Sequence, residues 1–163
     1  MSIQNQDLKN ILIVEAYKTE SLLKKLIKFN QYQIKEAGTF LSLFRKTDFK
    51  SIHTEATDLY LAFDEHRINI DALKGNFADF TSEQRKFYEI LDKYVNLLFD
   101  AVEIMQYLAK ERYELSKSAR NYNGELTLQK SIELGNKYND IISQCDTVAV
   151  ELSKAYTKIS NES

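Results

Sequence analysis

A chain of 163 residues with no proline and only four glycines has few places where its backbone can turn sharply. At the average usage of ~5%, about eight prolines belong in this length. Tight turns draw on Gly, Pro, Asn and Asp for specific backbone reasons, and an all-β domain needs such a turn every ~8–12 residues. The shortage therefore argues against a β-rich fold and for a few long helices. With 44% apolar and 28% charged residues the chain has the balance of a globular domain, neither disordered nor fibrous. A domain of this size buries roughly two-thirds of its unfolded surface, so it needs no metal or disulfide as a staple.

Apolar periodicity places four helices, at about 7–44, 48–74, 82–120 and 125–160, within a single domain covering 1–163. The second is the most regular. Phe49, Ile52, Ala56, Leu59, Phe63, His66, Ile70 and Leu73 recur at alternating spacings of three and four, a seam with one polar member. Asp48 is its expected N-cap, and Gly75-Asn76 its expected left-handed C-terminal stop. The third helix opens on Thr81-Ser-Glu-Gln84, the pattern of a capping box. Its apolar arc is unusually wide, with Phe87, Leu91, Tyr94, Leu98, Ala101 and Met105 flanked on one side by Ile90, Leu97 and Ile104. Tyr88, Val95 and Val102 flank it on the other. Such an arc means either more than two helical neighbours or an apolar surface offered to a partner.

The fourth helix carries Tyr138, Ile142, Cys145, Ala149, Leu152, Tyr156 and Ile159, with Gly135 on the same seam as a site of expected close backbone approach. The first is less regular, with Leu12, Ala16, Leu23, Leu26, Ala37, Phe40 and Phe44 interrupted by Asn30 and Gln33. Short connections favour antiparallel neighbours, so the expected fold is all-α, an up-down-up-down four-helix bundle. The rival is an extended coiled-coil rod, because the phase of the second helix runs on through Phe77, Phe80 and Phe87.

Chemistry leaves few traces. No Asp, Glu, Cys or His stands three or four residues from His53 or His66, so neither histidine sits in a helical metal-ligand pattern. A lone histidine on an apolar seam is expected to be a hydrogen-bonded core residue. Cys145 lies among Ile141, Ile142, Val148 and Ala149, surroundings that suppress thiolate formation. No nucleophile elbow, phosphate loop or dinucleotide fingerprint occurs. The expectation is a non-enzymatic protein with no cofactor. One cysteine and no long uncharged stretch predict a cytoplasmic protein, not a membrane one. The excess of lysine, 17 against 5 arginines, with abundant Asn, Ile and Tyr fits an AT-rich bacterial or phage coding sequence.

Charge is segregated along the chain. Residues 1–50 carry nine Lys/Arg against five Asp/Glu, net +4, while residues 51–104 carry five against eleven, net −6. Lys24, Lys25, Lys28 and Lys35 form a basic stripe on the first helix, and Glu55, Asp58 and Glu65 an acidic face on the second. A chain of net charge −2 with a single lysine stripe predicts no nucleic-acid binding. The expected function is a helical protein-binding module that occludes or scaffolds a macromolecular partner, as an inhibitor, immunity-type protein or adaptor does. The two charged sets and, as outward apolar anchors, Tyr88 and Val102 are its expected partner-binding residues, and self-association as a homodimer is an accompanying expectation. The alternative is a sensor or carrier holding a small-molecule ligand inside the bundle, near His66 and the Asn30/Gln33 layer.

Overall fold

The computed structural model describes the backbone of residues 3–38, 48–117 and 127–161, and the side chains of 6–31, 48–117, 127 and 129–161. It is an all-α four-helix bundle: α1 (Ile3–Gly38), α2 (Phe49–Ala72), α3 (Ser82–Lys117) and α4 (Leu128–Ser160). Cross-helix contacts fix the directions. His53 stacks on Tyr113 while Tyr60 and Arg67 meet Phe99, so α2 and α3 run antiparallel. Lys9 reaches the Ser160 carbonyl at 3.4 Å, and Asn30 donates to the Tyr138 hydroxyl, so α1 and α4 do too. The rod is thereby replaced by a hairpin at residues 73–81.

Local chemistry sets the helix ends. The Asp48 carboxylate accepts from Ser51 N–H at 3.0 Å and opens α2. Both halves of the capping box form, Gln84 N–H to Thr81 Oγ1 and Thr81 N–H to Gln84 Oε1, each at 3.2 Å. Thr127 Oγ1 performs the same service for α4, accepting from Lys130 N–H at 3.1 Å. The stop after α2 differs from expectation: no described residue has positive φ, Gly75 included. The helix instead tightens into a 3₁₀ turn over Leu73–Asn76. Its last carbonyls are satisfied by Phe77 N–H and Asp79 N–H, and those of Phe77 and Ala78 by the Arg85 guanidinium.

The seam of α2 is buried as its spacing predicts: Ile52, Ala56, Leu59, Phe63, His66 and Ile70. The central helix is α3, which packs against α1, α2 and α4. That surrounds its wide apolar arc, and it corrects one expectation. Tyr88 and Val102, which the sequence predicts as outward anchors, are 2% and 1% exposed and belong to the core. The other two seams are shifted. On α1 the buried positions are Leu8, Lys9, Leu12, Glu15, Thr19, Leu26 and Phe29, and on α4 they are Ile141, Cys145, Val148, Ala155 and Ile159. Ala16, Leu23, Ile142, Ala149, Leu152 and Tyr156 are only partly buried. Gly135 is not a close-approach point, since a Cβ built there meets nothing within 4 Å.

Candidate functional site: the cleft between α1 and α4

The shift of those two seams has one cause. Helix α1 lies close to α2 and α3 but stands off from α4, leaving a cleft floored by α3. Two hollows of about 370 and 540 Å³ run along it in series and share Leu23 and Tyr94. Their walls are largely apolar: Leu23 and Ile27 from α1, Phe87 and Leu98 from α3, Ile142 and Leu152 from α4. The partly buried Ala16 and Leu23 of α1 and Ile142, Ala149 and Leu152 of α4 face this space.

A hydrogen bond crosses from α1 to α4 at either end. Tyr17 and Tyr156 bring their hydroxyls to 3.1 Å, and Asn30 donates to the Tyr138 hydroxyl. Between Tyr17 and Asn30 the cleft is about 20 Å long at 1.5 Å per residue. Three phenols along it, Tyr17, Tyr94 and Tyr138, resist ionisation. Burial pushes Tyr94 up to about 12 and raises Tyr138 against the opposing effect of the Asn30 contact, while the hydroxyl of Tyr156 raises Tyr17. Cys145, which lines the larger hollow, is a free thiol pushed up to about 11 by burial, with Asp146 and Asp100 adding to it. The walls therefore stay uncharged at neutral pH, and among the described residues charge enters only at exposed Glu20 and Asp146. Lys24 neutralises the first at 2.6 Å.

A second polar arrangement ties α1 to α2. His66 Nε2 lies 2.7 Å from Thr19 Oγ1, and His66 Nδ1 lies 3.4 Å from Glu15 Oε2. Lys18 holds the other carboxylate oxygen at 2.7 Å. Hydroxyl, imidazole and carboxylate thus stand in the order of a nucleophile relay, but the hydroxyl is not presented for attack. Thr19 is 2% exposed and donates its proton to the Glu15 carbonyl at 2.9 Å. Its oxygen is left to accept from Nε2–H of the ring. Burial lowers the His66 pKa, Glu15 works against that, and Lys18 reinforces it. The arrangement fixes register between two helices.

The expected site residues separate. His66 is the hydrogen-bonded core histidine its seam position implied, but it faces α1 across the α1–α2 seam, whereas Asn30 lines the α1–α4 cleft. They do not form one polar layer. The side chains of Gln33 and Lys35 lie outside the described residues. Lys24, Lys25 and Lys28 are exposed on α1, and Glu55, Asp58 and Glu65 on α2, with no ion pair joining the two sets. The α4 seam read from the sequence contains Tyr138 and Tyr156, but Glu15, Thr19 and Tyr17 carry no comparable signal, and nothing local pairs Tyr17 with Tyr156 across 139 residues.

Among the described residues no three His, Cys, Asp or Glu side chains converge as metal ligands, and no helix is long and apolar enough to cross a membrane. No protein-family model, curated protein or solved structure matches this chain.

Proposed function

We propose that this chain is a non-enzymatic binding protein, a carrier or sensor whose ligand is a slim, elongated, uncharged apolar small molecule lying in the α1–α4 cleft. The observation that carries this reading is the pair of apolar hollows in series, about 370 and 540 Å³. Ligand sites run from about 300 to 1,000 Å³ and combine apolar walls with a few polar groups, here the hydroxyls of Tyr17, Tyr138 and Tyr156. Apolar walls left open to water gain about 25 cal/mol for each Å² that an apolar occupant covers, which favours such an occupant. Hydrogen bonds cross the cleft at both ends, and a helix lying along it would have to break them. That favours a thin ligand over an inserted helix. The rim carboxylate Asp146 disfavours an anionic one.

The macromolecular reading drew on outward apolar surface of α3, and that surface lies inside the bundle. Its remaining support is the exposed charge of α1 and α2. A cytoplasmic setting accompanies the proposal, since the single cysteine is a buried free thiol.

Titration with the neutral fluorophore N-phenyl-1-naphthylamine tests the site. Fluorescence should rise saturably with the wild-type protein, and Leu23→Trp, which fills the point shared by both hollows, should weaken binding at least about tenfold, or ~1.4 kcal/mol. Equal binding by both proteins, or no enhancement with either, overturns the proposal. Native mass spectrometry of gently purified protein provides the complementary readout, a retained small mass.

A further inference from the structure

The outer surface shared by α1 and α2 combines exposed aliphatic residues with unpaired charge of both signs. At 100° per residue, Ile11, Val14, Lys18, Lys25 and Lys28 fall within about 100° of arc on α1. Asp58, Leu61, Glu65 and Ile68 fall within about 80° on α2. These arcs lie beside each other, because the notch between the helices is lined by Lys18, Ser21 and Leu22 from α1 and by Ala62, Glu65 and Asn69 from α2. Ile11, Val14, Leu61 and Ile68 are 41%, 50%, 58% and 57% exposed. Lys25, Lys28, Asp58 and Glu65 are exposed and make no ion pair among the described residues. Lys24 lies on the other flank of α1, where it pairs with Glu20, and Glu55 sits about 60° from Asp58, toward the seam.

Register makes this surface self-complementary. The two helices are antiparallel with Thr19 opposite His66, so counting turns brings Lys28 level with Asp58, and Lys25 between Asp58 and Glu65. Val14 falls within one turn of Ile68. When two such faces meet about a two-fold axis parallel to the helices, α1 of one protomer covers α2 of the other without axial displacement. Levels matched inside a chain are then matched between chains. A two-fold axis across the helices would instead lay lysines on lysines and carboxylates on carboxylates, which is repulsive.

We propose that this α1–α2 outer face binds a second copy of the chain in that arrangement, Lys25 and Lys28 of each protomer meeting Asp58 and Glu65 of the partner subunit. Val14 packs near Ile68 of the partner subunit, and Leu61 lies under the aliphatic stem of the partner's Lys25. Two helices across and about 26 Å along, the face covers roughly 500 Å² a side, the small end of specific interfaces. The dimer is accordingly weak, with dissociation on the order of micromolar or above, and salt-sensitive.

Sedimentation velocity across a wide concentration range should show wild-type protein passing from monomer to dimer. Lys25→Glu with Lys28→Glu places acid against acid, and Asp58→Lys with Glu65→Lys places base against base, so each double variant alone should remain monomeric. Mixed, they restore opposite charges at both seams and should form a heterodimer. Circular dichroism of each variant guards against misfolding, and the mixture itself requires both to be folded. A wild-type protein that stays monomeric up to millimolar concentration, a variant that dimerises as wild type does, or a mixture that stays monomeric overturns the proposal. Retention of N-phenyl-1-naphthylamine binding by both variants separates this surface from the cleft.

Discussion

The α2–α3 seam and the α1–α4 seam are built from similar residue types and end in opposite states. Between α2 and α3 the apolar positions interdigitate: Phe63 and Val102 are at most 1% exposed, and Tyr60 meets Phe99 at 5.3 Å between ring centroids. Between α1 and α4, residues of the same kind stay partly buried and face a hollow, and Tyr17–Tyr156, Asn30–Tyr138 and Lys9–Ser160 contacts link the two helices. An apolar arc ensures that a helix turns one side away from water. It does not ensure that another helix fills that side.

The largest expected difference between the seams is in truncation. Phe63→Ala should cost about 3–5 kcal/mol, because a fully buried aromatic leaves a cavity its neighbours cannot close. Leu23→Ala, in the cleft wall, should cost less than about 1.5 kcal/mol, since it only widens a space that solvent already reaches. Equal losses by chemical denaturation would show the cleft to be closed in solution and break the comparison.

Acid should act on the α1 side. Burial places the folded-state pKa of His66 below its ordinary 6.5, so the unfolded chain binds the proton more tightly than the folded one. The stability this contributes is fully present above pH ~6.5 and is lost as pH falls from there through the folded-state value. His66→Gln should flatten that part of the pH–stability curve. A wild-type curve that rises on acidification would mean that Glu15 outweighs burial.

Two smaller effects sharpen the contrast. Asp48→Ala should cost about 1 kcal/mol by loss of the α2 cap. Gly135→Ala, in the open part of α4, should stabilise by about 0.5–1 kcal/mol, because a methyl there meets nothing and the helix interior gains a better former. Thermal melts resolve both, and a destabilising Gly135→Ala would mean that α4 is approached more closely there than the structure shows.

What the sequence discloses follows the same division. The α2 seam is legible residue by residue, since each apolar position has a helix opposite it. On α1 the true seam passes through Glu15 and Thr19, polar residues that a hydrophobicity pattern discounts, while Ala16 and Leu23 on the cleft side mimic a seam. On α4, Ile142, Ala149, Leu152 and Tyr156 do the same. Periodicity reports which side of a helix avoids water, and the cleft and the core both satisfy it. The site was hidden because it depends on a distance between two helices far apart in the chain.

The polar content of the α1 seam bears on synthesis. Helix α1 leaves the ribosome first, yet the residue that holds its middle, His66, lies 47 positions beyond Thr19, and α3 follows later still. At about 5–20 residues per second, α1 waits several seconds before its neighbours exist. Lys9, Glu15 and Thr19 are buried at the end of that wait but hydrated during it, and they divide what would otherwise be one continuous oily stripe on an unpartnered nascent helix. The α2–α3 hairpin, whose contacts are local, can form as soon as it emerges and then recruit the waiting helix.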